Sequence, residues 1–203
     1  MKILYVTDRA AIGDARFVRV LDSLAGAPGL RVELRERQAA DRECLLWAAT
    51  ARKRLGPSVP LYVNRRFDVA LAAKADGAHL PADGLPLARV RANTPRGFRV
   101  GVSTHSADDA IQAISGGADL VLLGPIFETP SKQSYGDPLG LETLGRLPRL
   151  DTHGCEVYAI GGIDERRLLE LAPHRDRISG IAAIRLFQES NDPRGTTERI
   201  ARQ

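Results

Sequence analysis

The chain has 203 residues, of which 43% are hydrophobic and 27% are charged, the values of an ordinary globular protein that can bury a full core. Its net charge of +4 comes mostly from scattered arginines, without a run of like charges or interleaved aromatic residues, which argues against nucleic-acid binding. A basic surplus of this size equally suits a phosphorylated metabolite.

We expect a cytoplasmic protein that does not enter a membrane. The first residues, MKILYVTDRA, predict a strand and a turn rather than a signal peptide, and no apolar run reaches the length of a membrane span. The two cysteines, Cys44 and Cys155, are far apart and lack the spacing of metal ligands. They predict buried thiols in a reducing compartment.

Apolar runs typical of strands alternate with helical patterns along the whole chain. The predicted strands cover residues 2–8, 30–37, 59–64, 77–80, 98–104, 118–123, 156–162 and 178–184. A predicted helix follows each strand, including one over residues 41–55 and one opened by Asp164. The inner face predicted for the first of these consists of Leu45, Leu46, Ala48 and Ala49. Eight such units predict one (β/α)₈ TIM-barrel domain over residues 1–203. A doubly wound open sheet is the alternative, but the turn after the first strand lacks its glycines.

Active sites of TIM barrels lie at the C-terminal ends of the strands. The residues there are Asp8, Arg35, Arg37, Asn64, His79, Ser103, His105, the loop 124–140, Gly161, Gly162, Ala183, Ile184 and Arg185. His105 is the best candidate for proton transfer, because an imidazole titrates at a pH of about 6.5, although it could instead pack at a helix start. For Asp8, a turn or capping residue is the simpler interpretation.

Three features at these ends predict anion binding. Gly161 and Gly162 precede a predicted helix, where backbone N–H groups can approach a phosphate closely. Arg35 and Arg37 could hold a second anionic group, or could instead pair with Glu33 or Glu36. The irregular loop 124–140 follows the sixth strand and carries donors for an anion, namely Thr129, Ser131 and Lys132, unless it is simply a solvated loop.

Several segments together, namely ELRER, VGVSTHSADDAIQA, GADLVLLGPIFETPSK, GLETL and YAIGGI, resemble the family that contains thiamine-phosphate synthase and the thiazole tautomerase TenI. The resemblance implies a TIM barrel, a thiazole phosphate ligand and a role in thiamine biosynthesis. Residues that match the pyrophosphate side of the synthase are Arg35, Arg37, Asn64, Ser103, Thr129, Ser131 and Lys132. Thiazole phosphate would bind at Gly161, Gly162, Ile184 and Arg185, and His105 matches the proposed acid/base of TenI.

Two positions depart from the synthase pattern. The family's two magnesium-binding aspartates match Arg65 and Gly84, with Asp83 only adjacent to the second. Mg²⁺ is commonly held by one or two carboxylates plus substrate phosphates, and a guanidinium repels it. We therefore expect no metal ligand and no cofactor, and we favour a metal-independent, TenI-like aromatising thiazole tautomerase with His105 as general acid/base.

Two alternatives stay open. One is a divergent thiamine-phosphate synthase, which would use Mg²⁺ to join a pyrimidine pyrophosphate to the thiazole phosphate and release pyrophosphate. The other is a non-catalytic protein that binds thiazole phosphate or thiamine phosphate. In each case the expected partner is a small phosphorylated thiazole or its product, and the chain itself could assemble as a homo-oligomer.

Overall fold

A computed structural model of the chain describes residues 1–129, 137–152 and 154–203. Eight parallel strands close into a barrel in the order of the sequence, which confirms the predicted TIM-barrel fold. The strands are β1 (Lys2–Val6), β2 (Leu30–Leu34), β3 (Leu61–Asn64), β4 (Gly77–Leu80), β5 (Arg99–Thr104), β6 (Leu120–Leu123), β7 (Glu156–Ile160) and β8 (Gly180–Ala183).

Helices occupy the connections between the strands. The α-helices are α1 (Arg9–Ile12), α2 (Asp14–Leu24), α3 (Asp41–Leu55), α4 (Phe67–Ala72), α5 (Leu87–Arg91), α6 (Ala107–Ser115), α7 (Glu142–Gly145), α8 (Arg185–Gln188) and α9 (Pro193–Ala201). Within the described residues, 3₁₀-helices lie at Leu150–Thr152 and Ala172–His174. Every residue of β4, β6 and β8 is buried, because the strands of a parallel sheet are covered on both faces.

The residues group into two compact units, Met1–His79 with Ala183–Gln203, and Leu80–Ala182. A single domain over residues 1–203 therefore stays a prediction. In the first unit, β1, β2 and β3 pair in parallel, with Val6 opposite Glu33 and Glu33 opposite Tyr62. In the second unit, β5, β6 and β7 pair in the same way.

The inner face of α3 differs from the prediction. Cys44, Ala48, Ala51 and Leu55 are buried, whereas Leu45 is 38% exposed and Leu46 is 61% exposed. The buried residues recur every three or four positions, the repeat of a helix with 3.6 residues per turn. The prediction is confirmed for Ala48 but was wrong for Leu45, Leu46 and Ala49, which lie on the exposed side of this repeat.

The segment after β7 also differs from the prediction. Asp164 accepts a hydrogen bond from the backbone N–H of Arg167 (2.9 Å), but the amides of residues 169–172 each bond to the carbonyl three residues earlier. Such bonds form tight 3₁₀-type turns rather than an α-helix. Pro173 has no N–H to continue an α-helical pattern, so the helix predicted to open at Asp164 was wrong in type.

The two cysteines are buried, as the sequence predicts. Cys44 and Cys155 are free and buried, and burial raises the pKa of both thiols, that of Cys155 to about 12. Both thiols are therefore protonated, and hence poor nucleophiles, at neutral pH. Among the described residues, no helix is both long and apolar enough to cross a membrane.

Candidate active site

Strand β2 ends at Leu34, earlier than predicted, so Arg35 and Arg37 lie in the loop that follows it. The strand stops where the buried hydroxyl of Thr7 takes over as the hydrogen-bond partner of the Arg35 amide (2.9 Å). Arg37 is exposed and Arg35 is half-buried.

The carboxylates beside these arginines have other partners. Glu36, whose side chain is only 5% exposed, is bound by the guanidinium of Arg9, with Nη2 2.9 Å from Oε2. Glu33 is 2% exposed and accepts a hydrogen bond from Nδ2 of Asn64 (2.8 Å). Glu33 and Glu36 thus take part in contacts with neighbouring strands and loops, and the roles of Arg35 and Arg37 stay a prediction.

Asn64 is the last residue of β3, and its contact with Glu33 sets the orientation of its amide. A carboxylate can only accept hydrogen bonds, so Nδ2 faces Glu33 and Oδ1 is the atom that can accept from a ligand. Nδ1 of the buried His79 lies 3.6 Å from the other oxygen of Glu33. His79 is thus part of the buried interior rather than a surface group.

The first turn after β1 is fixed by a residue that the sequence analysis missed. Gln188 is buried and accepts hydrogen bonds from the Asp8 amide (2.6 Å) and the Tyr5 hydroxyl (3.1 Å), while its Nε2 donates to the Asp8 carbonyl (3.1 Å). The Asp8 side chain accepts from the Ala11 amide (3.3 Å) and caps α1, as the simpler interpretation predicted. Burial raises the pKa of Tyr5, so its hydroxyl stays neutral and can donate to Gln188.

Ile184 and Arg185 occupy the predicted position after β8. Ile184 is the N-cap residue of α8 and contributes no capping side chain, and Arg185 is the first helical residue. The helix has four residues, so its dipole is small and the turn relies on backbone N–H groups for any anion. The role of this turn in binding phosphate stays a prediction.

In the second unit, His105 lies between the end of β5 and the start of α6. Its Nδ1 is 2.6 Å from the carbonyl oxygen of Gly124, the first residue after β6. Since a carbonyl oxygen only accepts, Nδ1 carries the proton and the lone pair of the neutral ring lies on Nε2. Ser106 caps α6 through a hydrogen bond from the Asp109 amide (3.1 Å), so the residues on both sides of His105 are fixed. This arrangement suits a general base.

Gly161 and Gly162 follow β7 and pack against the segment that follows β6. Gly161 has φ 104° and Gly162 has φ 65°, a region that favours glycine. A Cβ atom on Gly161 would lie 2.6 Å from Cα of Pro125, and one on Gly162 would lie 2.4 Å from the carbonyl oxygen of Glu128. No larger residue fits at either position without displacing backbone.

Hydrogen bonds join the same two segments. The amide of Ile126 donates to the carbonyl of Ile160 (2.8 Å), and that of Phe127 donates to the carbonyl of Gly161 (3.1 Å). Thr129, at the end of this segment, is buried, with a relative exposure of 7%. The half-buried Ser103 lies on β5. Ser131 and Lys132 lie outside the described residues.

Arg167 is a second residue that the sequence analysis missed. Its Nη1 donates to the carbonyl oxygen of Gly162 (2.6 Å), and its guanidinium carbon lies 4.8 Å from the centroid of the Phe127 ring. It therefore joins the glycine turn to the segment after β6. No pattern in the sequence separates this arginine from the many others, because its partners are a backbone carbonyl and a ring forty residues away.

The sequence of this chain is similar to those of known proteins. A family model described as thiamine monophosphate synthase matches residues 3–187. A putative thiamine-phosphate synthase from Geobacter sulfurreducens is 38% identical over 193 residues, which cover 93% of this chain and 87% of that protein. A thiamine-phosphate synthase from Methanoculleus marisnigri is 36% identical over 184 residues, with coverage of 89% and 86%. The chain belongs to the thiamine monophosphate synthase family.

A solved structure supports the same assignment. The thiamine phosphate pyrophosphorylase from Pyrococcus furiosus superposes with a TM-score of 0.81 at 27% identity, covering 99% of this chain and 94% of that one. The expected membership of the family and the expected fold are thus both confirmed. The named relatives favour the coupling reaction, which was the alternative, over the tautomerase that the sequence analysis favoured.

The residues at the two positions of the family's magnesium ligands do not fit that ion. Arg65 is exposed, has φ 64°, and donates its amide to the carbonyl of His79 (2.8 Å). Gly84 has no side chain, and Asp83 beside it is exposed. Within residues 1–129, 137–152 and 154–203, no group of three or more histidine, cysteine or acidic side chains could hold a metal ion. Neither position has the carboxylate that the resemblance implies as a magnesium ligand.

Proposed function

We propose that this protein is a thiamine-phosphate synthase, in which a thiazole phosphate displaces pyrophosphate from a pyrimidine pyrophosphate. The ring nitrogen of the thiazole forms a bond to the methylene carbon of the pyrimidine, and the bond from that carbon to the pyrophosphate oxygen breaks. The observation that carries the proposal is the Gly161–Gly162 turn, which is packed so closely that only glycine fits and which offers backbone to a phosphate. The names of the relatives at 36% and 38% identity point to the same reaction.

The chain's own residues have separate tasks in this proposal. The Gly161–Gly162 turn binds the phosphate of the thiazole and so orients its ring. Arg35 and Arg37, in the loop that follows β2, meet the negative charge of the pyrophosphate. Asn64 offers its Oδ1 as an acceptor, since Glu33 holds its Nδ2. Thr129, Ser131 and Lys132 are proposed as further donors to the leaving group.

The tautomerase is the second candidate, and the geometry of His105 favours it. With Nδ1 bound to the Gly124 carbonyl, Nε2 could remove a proton from a thiazole ring and return it elsewhere. That reaction requires no metal, and arginines could hold the extra carboxylate of the substrate. The exposed arginine at position 65 is compatible with this chemistry, whereas it opposes a bound cation.

One set of assays distinguishes the candidates. Purified protein is supplied with the pyrimidine pyrophosphate and the thiazole phosphate, with added Mg²⁺ or with EDTA, and thiamine phosphate and pyrophosphate are measured by chromatography. In parallel, the non-aromatic thiazole tautomer is supplied and its aromatisation is followed by absorbance. We expect equal amounts of thiamine phosphate and pyrophosphate in the first assay.

The variants give the assays their controls. His105→Ala should abolish any aromatisation, whereas His174→Ala, in the 3₁₀-helix Ala172–His174, should leave it unchanged. If aromatisation depends on His105 and no thiamine phosphate forms, the protein is a tautomerase and the proposed synthase function is wrong. If the protein binds thiamine phosphate tightly and has neither activity, it is a non-catalytic binding protein.

A further inference from the structure

The glycine turn after β7 is held in place by one side chain from outside the turn. Arg167 donates from Nη1 to the Gly162 carbonyl oxygen at 2.6 Å and lies over the Phe127 ring at 4.8 Å. Its own backbone amide is fixed by Asp164 (2.9 Å). One planar guanidinium therefore fixes the position of the turn and of the segment after β6 at the same time.

The shape of an arginine side chain suits these two contacts. A guanidinium is flat, so it can stack on a ring while its edge donates hydrogen bonds in the plane of the stack. A lysine ammonium could reach the carbonyl but would not stack. A residue that merely filled space would need neither the donor nor the planar shape.

The charge of Arg167 is placed differently from that of a structural ion pair. In the part of the chain that the structure describes, its guanidinium contacts a neutral carbonyl and a ring, and no carboxylate pairs with it. A carbonyl oxygen satisfies a donor without cancelling the positive charge. The charge therefore adds to the potential that an anion meets at the glycine turn.

We propose that Arg167 is a positioning residue for phosphate, which fixes Gly162 and Phe127 and makes the turn selective for a phosphorylated ligand over its unphosphorylated form. This inference rests on the proposed role of the Gly161–Gly162 turn as the phosphate site. It assigns a function to a residue that acts through the backbone of the turn and is not itself required to touch the ligand.

The test compares thiamine phosphate with thiamine, the same ligand without the phosphate, by isothermal titration calorimetry. In Arg167→Met, the affinity for thiamine phosphate should fall about tenfold, the factor expected when one charge-assisted contact is disturbed. The affinity for thiamine should change less than about twofold. Arg167→Lys should lose about threefold, because it keeps the charge and the donor but not the stacking.

Arg166→Met is the matched control, because it removes an equal charge from the neighbouring exposed position. It should leave the ratio of the two affinities unchanged. Phe127→Leu removes the ring alone and should lower the ratio of the affinities for thiamine phosphate and thiamine by as much as Arg167→Lys does. This variant tests the inference if Arg167→Met does not fold. Folding of each variant is checked by its thermal unfolding midpoint.

Three results would overturn the inference. The first is an equal loss of affinity for thiamine and thiamine phosphate in Arg167→Met. The second is a fall in the affinity ratio in Arg166→Met as large as in Arg167→Met, and the third is a wild-type protein that binds both ligands equally. If the wild type binds selectively but forms no thiamine phosphate from the two substrates, the proposed synthase fails and the role of Arg167 stands.

Discussion

Arg9 and Arg167 each hold a turn that follows a barrel strand, and each lies against an aromatic ring. The Arg9 guanidinium carbon is 4.6 Å from the centroid of the Trp47 ring, and that of Arg167 is 4.8 Å from the Phe127 ring. Their other partners differ. Arg9 binds three carboxylates, those of Glu36, Asp14 and Glu43 at 2.9, 2.6 and 2.6 Å, whereas Arg167 binds a carbonyl oxygen.

The difference assigns the two arginines to different tasks. Carboxylates balance the charge of Arg9, and although burial opposes its charged form, the hydrogen bonds that Arg9 donates to Glu36 and Asp14 raise its pKa. Arg9 is therefore a cross-link that stabilises the ends of β1 and β2. The charge of Arg167 is not neutralised in this way, so it can contribute to binding an anion. Arg9 and Arg167 thus differ in whether carboxylates balance the positive charge of the guanidinium.

Removal of Arg9 should give the largest loss of stability. Arg9→Leu leaves the buried carboxylate of Glu36 without its partner, and the free energy of unfolding should fall by about 3 kcal/mol. Arg167→Leu loses one hydrogen bond to a carbonyl and should cost about 1 kcal/mol. Both values can be measured by urea denaturation. Equal losses in the two variants would remove the distinction between the arginines.

Two controls show whether the loss in Arg9→Leu comes from the stranded carboxylate. Arg54→Leu breaks an exposed pair with Asp22, whose side chains are 44% and 47% exposed, and should cost less than about 1 kcal/mol. Adding Glu36→Gln to Arg9→Leu removes the unpaired charge and should recover most of the lost stability. A double variant no more stable than Arg9→Leu would show that packing on Trp47, rather than charge, gives Arg9 its effect.

A methyl group on Gly162 should have the next largest effect. In Gly162→Ala the new Cβ would lie 2.4 Å from the Glu128 carbonyl oxygen and 2.7 Å from Nη1 of Arg167. The residue must also keep φ 65°, so we expect a loss of about 2 kcal/mol in unfolding free energy. We also expect a weaker affinity for thiamine phosphate, measured by calorimetry.

Gly97→Ala is the matched control for this prediction. Gly97 also has a positive φ, 87°, but a Cβ there would meet no atom within 4 Å. Gly97→Ala should lower the free energy of unfolding only by the cost of a positive φ in alanine. It should bind thiamine phosphate as the wild type does. If both variants bind equally well, the close packing of the turn has no part in phosphate binding.

The sequence predicts the barrel and the position of the turn, because both depend on local patterns. Apolar runs buried on both faces predict strands such as β6, and Gly161–Gly162 at the end of such a run predicts a tight turn. The predicted second strand ran on to residue 37 because its alternation of apolar and polar residues continues. The bond from the Arg35 amide to Thr7, which ends the strand, joins residues that are distant in sequence.

The residues that support the site could not be predicted for the same reason. Arg9, Arg167 and Gln188 owe their roles to partners that the fold brings near them, namely a buried carboxylate, a glycine carbonyl and the amide of Asp8. None belongs to a pattern with a fixed spacing. The orientation of Asn64 is likewise decided by the buried Glu33, and composition alone does not indicate which side of the amide faces a ligand.

The exposed pair of Arg66 and Asp68 extends the comparison to a third case and should show the smallest effect. Hydrogen bonds from Arg66 lower the pKa of Asp68, with Nε 2.9 Å and Nη2 2.6 Å from its oxygens. A lowered pKa means that the pair stabilises the fold above the unfolded value of about 3.9 and loses that effect as the pH falls through the lower folded value. The side chains are 33% and 56% exposed, so solvent screens the pair.

Asp68→Asn should therefore reduce the free energy of unfolding at pH 7 by less than about 1 kcal/mol, and by less still in high salt. The difference from the wild type should shrink as the pH is lowered below about 4, since Asp68 of the wild type then becomes protonated in both states. Urea denaturation across this range measures it. A difference that stays constant with pH would mean that Asp68 acts through its position in the first turn of α4 rather than through its charge.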